Sequence, residues 1–491
     1  MKNPLEDNTN HAAYWFSLIS VVAGVKLLIF LIDPLPMFYF GDSWSYLSTA
    51  LSGLIPADRS FIYGFLIRLT AVASHSLATL ILLQVFTSAI NAIMISYILR
   101  RFFALAPKLS FVLGLLCAVE PLQLMYERYV MTEAFSLFLF VLYMLVIFFY
   151  LEKPRLKFLL LFQIAGVFLI SLRLSFLPLV LLNTVFVPLL ALPVFLKKEK
   201  GKKHDQSGYR RMVSQLNPFA HTTALHVILS LALTITLHQG YKNFNGWLSQ
   251  KPPAYQYQSG IFLLAFLSPI VEPVDFPYPE LRDAVFESLK YDLKDRHKRA
   301  LHHWHPGGLI AKLHEAVPDM IEADRVARIT VQNALMRDPA GIVRLAAVTF
   351  SDYWNLHLLK ITMRSDRGES FLPDFMLKTL EDSFNLIGDD LPFVRTFTNQ
   401  YYLNAWGWFL FLLISPLIGL AALFICNRER RRFIAVVVLA ASVSVLMGCT
   451  LVQDPTIRFL HPLGWLVFLI IGCFINCVVS LRNRQASISE Q

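Results

Sequence analysis

Long apolar runs separated by short polar segments dominate the pattern of this chain. A helix needs about 20 apolar residues to cross a bilayer, within a range of about 17–25. Most of the runs have this length, and the third and fifth are expected to include flanking residues. They predict ten transmembrane helices, give or take one: Ala13–Ile32, Leu77–Leu99, Leu109–Val119, Ala134–Leu151, Phe158–Leu172, Phe176–Leu196, Thr222–Leu237, Tyr402–Cys426, Phe433–Leu451 and Leu460–Ser480.

One long polar segment divides the chain into three parts. Residues 1–238 form an N-terminal transmembrane module of about seven helices, residues 239–401 a polar domain, and residues 402–491 a C-terminal module of about three helices. The short apolar run Ile261–Ile270 is expected to be buried or interfacial. Pro and Gly punctuate three helix-like stretches of the polar domain, Pro279–His302, Gly308–Met336 and Ala340–Lys360. The predicted fold class is an all-α polytopic membrane protein with a mainly helical extracytoplasmic domain that has its own core.

Basic residues occur mainly in alternate loops. They lie between predicted helices two and three, four and five, and six and seven, and after helices eight and ten. Loops rich in Lys and Arg face the cytoplasm. Ten spans therefore place both termini in the cytoplasm and residues 239–401 outside.

Composition narrows the protein class further. The chain is 56% hydrophobic and 16% charged, whereas soluble domains are about 25% charged, and disorder requires low hydrophobicity. The net charge of +10 is made up of +12 in the membrane part and −2 in Gln239–Tyr402. The positive charge thus marks topology, and nucleic-acid binding is not expected.

Cysteines and histidines give no strong metal signal. The five cysteines lie in or beside apolar runs and form no disulfide framework or zinc spacing. Cys473 and Cys477 are one helical turn apart, which most often means packing. The cluster of His302, His303 and His305 is interpreted as solvated and interfacial rather than as a metal site.

Acidic residues collect in the loops predicted to face outside. Seven of the 14 acidic residues beyond the polar domain lie there: Asp33, Asp42, Asp58, Glu120, Glu127, Glu133 and Asp454. Ionisable groups at membrane depth often serve a function when they face a cavity. Solvation at the outer surface is nevertheless the favoured explanation for any single one of them.

Two of these acids stand out. Asp42 lies in the connection 33–76, which is long for a turn, and long loops are usually functional. Glu133 begins a helix that Thr132 can cap. The helix dipole favours a carboxylate in this first turn, so a structural and a functional explanation of Glu133 are equally good. Lys26, near the outer end of the first helix, is expected to snorkel.

Three patches lie in the predicted outer loops: Gly41–Leu66, Thr132–Glu133 and Arg458–Pro462. Together they resemble bacterial membrane glycosyltransferases of the GT-C superfamily. This group includes protein O-mannosyltransferases and lipid A aminoarabinose transferases. Thr132–Glu133 matches the acid that opens a helix at the second outer loop of the family, and Arg458–Pro462 resembles its Arg-Tyr-x-x-Pro segment. The sequence differs from the family at Ser43, where many members have a carboxylate, which leaves the sugar and subfamily open. The first-loop match consists of Gly41, Asp42, Ser43, Tyr46, Leu47, Ala50, Gly53, Arg59, Tyr63 and Leu66.

The resemblance implies an inverting transfer at the outer leaflet of the bacterial inner membrane. The donor would be a sugar on a polyprenyl phosphate, and the acceptor an extracytoplasmic glycan, lipid or protein. By analogy Asp42 is the catalytic base, and Glu133, the second catalytic residue, orients the acceptor or pairs with an Arg. The expected substrate-binding residues are Asp33, Tyr46, Arg59, Tyr63, Arg458 and His461.

Arginine suits the phosphate of such a donor because a guanidinium group can bind two phosphate oxygens at once. Arg59 and Arg458 are the first candidates, with Arg128 and Arg173 behind them. Contact with lipid headgroups, or snorkelling of the side chain to the membrane interface, explains each of these arginines about as well as phosphate binding does. His461 could also donate a hydrogen bond.

No cofactor is expected, since the chain has neither a P-loop nor a GxGxxG motif. No sequence pattern indicates a divalent metal ion. Family members that transfer oligosaccharides use such an ion, whereas members that act on lipid monophosphates need not use one. Two other functions stay open: a transporter or flippase for a lipid-linked or envelope substrate, and a non-catalytic assembly protein. Helix centres nearly free of charge favour surface chemistry over transport.

Overall fold

The computed structural model describes residues 4–192, 210–366, 372–388, 396–451 and 456–489. In these ranges the chain is helical, and the one β-type contact is an isolated bridge between Met37 and Tyr129. The predicted helical polytopic class fits this architecture. Seven helices of the described chain are long and apolar enough to cross a membrane: His11–Ile32, Leu77–Arg101, Glu133–Glu152, Thr222–Ser249, Trp406–Ile425, Arg428–Thr450 and Leu463–Arg482.

The three other predicted spans are shorter apolar helices, at Pro107–Ala118, Leu156–Leu172 and Leu174–Leu190. Pro107–Ala118 has 12 residues, and a helix of that length extends about 18 Å, well below the about 30 Å of a bilayer core. Residues 193–196 of the sixth predicted run lie outside the described residues. A further short apolar helix at Phe61–Val72 lies in the first long loop.

The helices of the two apolar modules and of the polar segment are labelled here in chain order. The N-terminal module contains α1 (Pro4–Ile32), α2 (Phe40–Ser52), α3 (Phe61–Ile67), α4 (Leu77–Arg101), α5 (Pro107–Ala118), α6 (Pro121–Tyr126), α7 (Glu133–Glu152), α8 (Leu156–Leu172), α9 (Leu177–Leu190) and α10 (Arg210–Ser249). The polar segment contains α11 (Ser259–Phe266), α12 (Pro279–Phe286), α13 (Arg299–Trp304), α14 (Leu309–Ala316), α15 (Met320–Arg337), α16 (Gly341–Asp352), α17 (Leu356–Asp366) and α18 (Asp374–Phe384). It is followed by α19 (Phe397–Asn404), α20 (Trp406–Ile425), α21 (Arg428–Thr450) and α22 (Leu463–Ser489).

Local signals fix the ends of the helices in the first long loop. Ser60 Oγ accepts a hydrogen bond from the backbone N–H of Ile62 at 3.2 Å, which begins α3. Gly53 ends α2 with φ of 78°, a left-handed conformation that glycine adopts without steric cost. Because α2 begins at Phe40, Asp42 lies in its first turn, where the helix dipole favours a carboxylate.

The loops gather into two groups at opposite ends of the apolar helices. At one end, here the basic end, Arg100 lies over the Tyr14 ring, Arg101 donates to Glu152 at 3.0 Å, and Phe103 contacts Phe433. The other end, here the acidic end, joins the segments around residues 33–42, 127–133, 173 and 458 through ion pairs. The grouping matches the division of loops that the basic residues predict.

The polar segment has two parts. Helices α11 to α16 surround a separate apolar core that includes Leu264, Val326 and Leu313, as expected from the size of the segment. The apolar face of α18 instead packs on the first long loop, where Met376 and Leu380 join Tyr46, Tyr63 and Ile67.

Element boundaries differ from the sequence expectations in two respects. Each of the three helix-like stretches is broken into two helices, as where Asp319 caps α15 after α14 ends at Ala316. The helix α10 runs from Arg210 to Ser249 and so continues across the predicted module boundary at 238/239.

Candidate active site

Five charged side chains from four parts of the chain meet at the acidic end. The carboxylate of Asp42 pairs with the guanidinium groups of Arg59 and Arg458. Glu133, the first residue of α7, accepts a hydrogen bond from Arg458 Nε at 2.7 Å and pairs with Arg173 Nη1 at 2.7 Å through the same Oε1 atom. We call these five residues the charge cluster. It brings together Asp42, Glu133, Arg59 and Arg458 as expected from the sequence, and it adds the second-choice candidate Arg173.

The charge cluster is buried. None of its five side chains is more than 16% exposed, so their interactions are weakly screened by solvent. Asp58 also accepts a hydrogen bond from Arg59 Nε at 3.1 Å, so the three guanidinium groups have three carboxylate partners and the ion pairs balance in charge. Burial, together with the nearby Arg458, lowers the pKa of Arg59 to about 10. Arg59 therefore stays protonated at neutral pH, and its guanidinium group can bind an anion that displaces a carboxylate.

Asp366, which sequence reasoning missed, holds the loop that carries Arg458. Its Oδ2 atom accepts hydrogen bonds from the backbone N–H groups of Ile457 at 2.8 Å and Arg458 at 3.2 Å. Burial raises the pKa of Asp366 to about 7, against the lowering effect of these N–H donors and of the Arg458 charge. Nothing in the sequence distinguishes Asp366 from the many other acids of the polar segment.

Tyr63 and Tyr46 lie beneath the charge cluster as parts of its support. The Tyr63 hydroxyl donates to Gln84 Oε1 at 2.8 Å, and the Gln84 amide donates to the carbonyls of Glu127 and Tyr129 at 2.9 and 3.0 Å. The ring of Tyr46 packs edge-on against Tyr63 with centroids 4.9 Å apart. Through these contacts α3 and α4 position the loop that precedes Glu133.

Asp33 lies apart from the charge cluster in a buried ion pair. Its carboxylate accepts from Arg128 Nη2 at 2.9 Å and from the Thr398 hydroxyl at 2.5 Å. These bonds tie the end of α1 to the loop before Glu133 and to α19. The structure therefore gives Asp33 and Arg128 structural partners and does not bring them to Asp42.

A small cavity with room for about one water molecule lies beside Glu133 and His461. The His461 Nδ1 atom faces the Arg458 carbonyl at 3.1 Å, and burial lowers the pKa of His461 well below its usual value. Asn91 and Tyr126 also line the cavity. Five buried polar atoms around it have no hydrogen-bond partner among the described residues: Asn91 Nδ2, Asn91 Oδ1, Tyr126 Oη, Glu133 Oε2 and His461 Nε2.

Most acids of the predicted outer loops are buried, so simple solvation does not describe them. Asp454 lies outside the described residues, and Asp58 is only partly buried, at 23% side-chain exposure. The other five are each 8% exposed or less: Asp33, Asp42, Glu120, Glu127 and Glu133.

The expectation that Lys26 snorkels is wrong. Its side chain is 2% exposed and pairs with the carboxylate of Glu127. It also donates to Ser88 Oγ at 3.0 Å. Lys26 faces α4 and the loop before Glu133, where it finds partners inside the protein.

The three histidines of the polar segment are held separately rather than as one solvated cluster. His302 is fully buried and its Nε2 lies 3.3 Å from the Asp292 carbonyl. The His303 ring packs on Phe262 at 4.5 Å, and burial lowers the pKa of His303 to about 4. His305 accepts a hydrogen bond from the Gly307 backbone. Among the described residues, the three imidazoles do not converge on one point.

Comparison with known proteins leaves the function to be argued from these residues. No protein-family model, no curated protein and no solved structure matches this chain.

Proposed function

We propose that this protein is a membrane glycosyltransferase that moves a sugar from a polyprenyl-phosphate donor to an extracytoplasmic glycan, lipid or protein. The observation that carries the proposal is the charge cluster. Four of its five residues, all but Arg173, come from loops that the sequence resemblance to GT-C enzymes singles out. Arg458 lies 416 positions from Asp42 along the chain.

The three guanidinium groups of the cluster suit the donor phosphate. Arg59 and Arg458 point their guanidinium groups at Asp42, and guanidinium groups bind phosphate oxygens in a two-point manner. A phosphate that binds these arginines would compete with Asp42 for them. Donor binding thereby frees an Asp42 oxygen for the acceptor, which links substrate binding to catalysis.

The proposed step is a single displacement with inversion. The acceptor hydroxyl oxygen attacks the anomeric carbon, and the bond from that carbon to the phosphate oxygen breaks with its electron pair. The hydroxyl proton passes to Asp42, and a base in this position typically contributes about 10²–10⁴-fold. The negative charge that grows on the leaving phosphate is stabilised by Arg59 and Arg458.

The cavity beside Glu133 supports recognition of hydroxyl groups. Its polar atoms on Asn91, Tyr126 and His461 can donate or accept hydrogen bonds. Buried polar groups without partners are costly, so one hydroxyl group of a substrate, or one water molecule before it binds, would satisfy some of them. Glu133 lies between this cavity and the charge cluster and would orient the acceptor.

The membrane arrangement that fits this chemistry has about ten crossings, with both termini in the cytoplasm. The three shorter apolar helices would then complete the count with flanking residues. The acidic end would face outward at the bacterial inner membrane, with residues 239–401 outside. The clustering of basic loops at the other end supports this orientation.

The proposal is tested by deleting the gene and comparing surface glycolipids and glycoproteins by mass spectrometry. We expect one product class to lose the mass of one hexose, pentose or aminosugar. The missing mass would identify donor sugar and acceptor class together. Identical glycan profiles with and without the gene would contradict the proposal.

A second candidate function, a transporter or flippase, is favoured by the buried Lys26–Glu127 pair, since ion pairs inside membranes often mark transport pathways. Vesicles that contain the purified protein separate the two functions. A transporter would move a fluorescent lipid-linked sugar between leaflets without releasing polyprenyl phosphate, whereas a transferase releases it when acceptor is present.

A further inference from the structure

Three of the five cysteines meet at the basic end of the bundle, away from the charge cluster. Cys426 follows the last residue of α20, and Cys473 and Cys477 lie one turn apart on α22. All three sulfur atoms lie within 4.8 Å of one another. The packing of α20 against α22 thus brings a third thiol, that of Cys426, next to the thiols of Cys473 and Cys477.

The spacing of the sulfur atoms fits a shared metal ion better than a disulfide. Cys473 Sγ and Cys477 Sγ are 3.9 Å apart, whereas a disulfide bond is about 2.05 Å long. Two thiolates that bind one zinc ion tetrahedrally, with bonds of about 2.3 Å, lie about 3.8 Å apart. The pair is therefore already at the separation that a bridging ion requires.

A cation lies close to the thiols. Arg430 lines a small cavity beside Cys426 and Cys477, and a neighbouring cation stabilises a thiolate. Three thiolates and one divalent cation carry a net charge of −1, which Arg430 balances.

We propose that Cys426, Cys473 and Cys477 bind one thiophilic metal ion, Zn²⁺ or Cu⁺. Each thiol releases one proton on binding, and no oxidation occurs. Soft thiolate ligands select these two ions over harder ones. Three thiolates suffice for Cu⁺, and Zn²⁺ would take a water from the adjoining cavity as its fourth ligand. The ion would tie the turn between α20 and α21 to α22 and has no part in sugar transfer.

The test uses the purified full chain in detergent, loaded separately with Zn²⁺ or with Cu⁺ and then desalted. Metal analysis by mass spectrometry is expected to find about one ion per chain for at least one of the two metals. Each of the variants Cys426→Ser, Cys473→Ser and Cys477→Ser should lower that value about tenfold or more, since a ligand is lost. Cys449→Ser, a buried cysteine outside the group, is the matched control and should bind as the native chain does.

A second measurement needs no variant. Metal added to the native chain in weakly buffered solution should release about three protons per chain, and a chelator should reverse the release. Equal metal content in the native chain and the triple Ser variant would overturn the proposal. It would also be overturned if the native chain weighed two protons less, as a disulfide requires, and bound no metal.

Discussion

Arg458 joins the two carboxylates of the charge cluster through different nitrogen atoms of one guanidinium group. Its Nε atom donates to Glu133 and its Nη2 atom pairs with Asp42. The two carboxylates also have one further arginine each, Arg59 and Arg173. Arg458 therefore connects the Asp42–Arg59 pair and the Glu133–Arg173 pair into one site.

Replacement of Arg458 by Lys should separate these two pairs. A single ammonium group lacks the fork of the guanidinium group and cannot hold both carboxylates in this geometry. We expect a loss of about 1–3 kcal/mol in unfolding free energy, because a buried acceptor loses a donor. Thermal unfolding measures the loss, with Arg344→Lys, an exposed arginine paired with one carboxylate, as the control. Equal effects of the two substitutions would contradict the bridging role.

The carboxyl of Asp366 should make stability depend on pH. Burial raises its folded-state pKa from 3.8 to about 7. Between about pH 4 and pH 7 the folded chain then keeps a proton that the unfolded chain has lost, so its stability falls as pH rises through this window. Asp366→Asn keeps an oxygen acceptor for the backbone of Ile457 and Arg458 but does not titrate.

Melting temperatures of the native chain and Asp366→Asn, recorded from pH 4 to pH 8, check this expectation. The native chain should lose stability relative to the variant as pH rises, and the difference should level off above about pH 7. A constant difference across the whole range would show that Asp366 is ionised throughout.

For individual residues, the sequence predicts which side chains belong to the site better than it predicts which side chains they pair with. Asp42, Glu133, Arg59 and Arg458 could be chosen because they lie in outer loops and match motifs of the family that the chain resembles. The pairing of Arg458 with both acids depends on how α2, α7 and the loop before α22 pack, which no local pattern encodes. Asp33 is another acid of the same outer connection as Asp42, and only their partners distinguish the two.

Close packing of α2 on α3 positions the helix that carries Asp42. Gly64 on α3 lies against the side chain of Thr49 on α2, and a Cβ atom at this position would collide with it. Gly64→Ala should therefore push the two helices apart and cost about 1–3 kcal/mol of stability. Sugar transfer should fall with it, because the position of Asp42 shifts relative to Arg458.

A matched substitution in α10 separates this packing effect from a general effect of alanine. A Cβ atom added to Gly240 would meet no atom within 4 Å, and Gly240→Ala should be neutral or gain up to about 1 kcal/mol. Thermal unfolding and transfer activity are measured for both variants. Similar results for Gly64→Ala and Gly240→Ala would argue against the α2–α3 contact.

Element prediction succeeds where hydropathy alone decides and fails where tertiary contacts decide. The long runs, such as Leu77–Arg101, are helices because about 20 apolar residues satisfy their backbone groups within one segment. The stretch Pro279–His302 is broken because its residues fold back to cover a small core. The continuation of α10 to Ser249 beyond its apolar part has no signal in hydropathy.

The arrangement of the whole molecule predicts opposite exposure of its two ends. All five native cysteines are buried, so a thiol reagent would report mainly on introduced cysteines. Ser288→Cys, at an exposed site of the polar segment, should react with an impermeant maleimide in intact spheroplasts. Lys153→Cys, in an exposed basic-end loop, should react only after permeabilisation. The reverse pattern would invert the proposed orientation.

In the proposed function the charge cluster transfers a sugar from a polyprenyl phosphate. The most direct test is complementation of the deletion strain, with the envelope glycans measured by mass spectrometry. The native gene and the control Asp283→Asn, an exposed acid far along the chain, should restore the missing sugar, whereas Asp42→Asn should not, although it reaches the membrane in equal amount. Full restoration by Asp42→Asn would contradict the account.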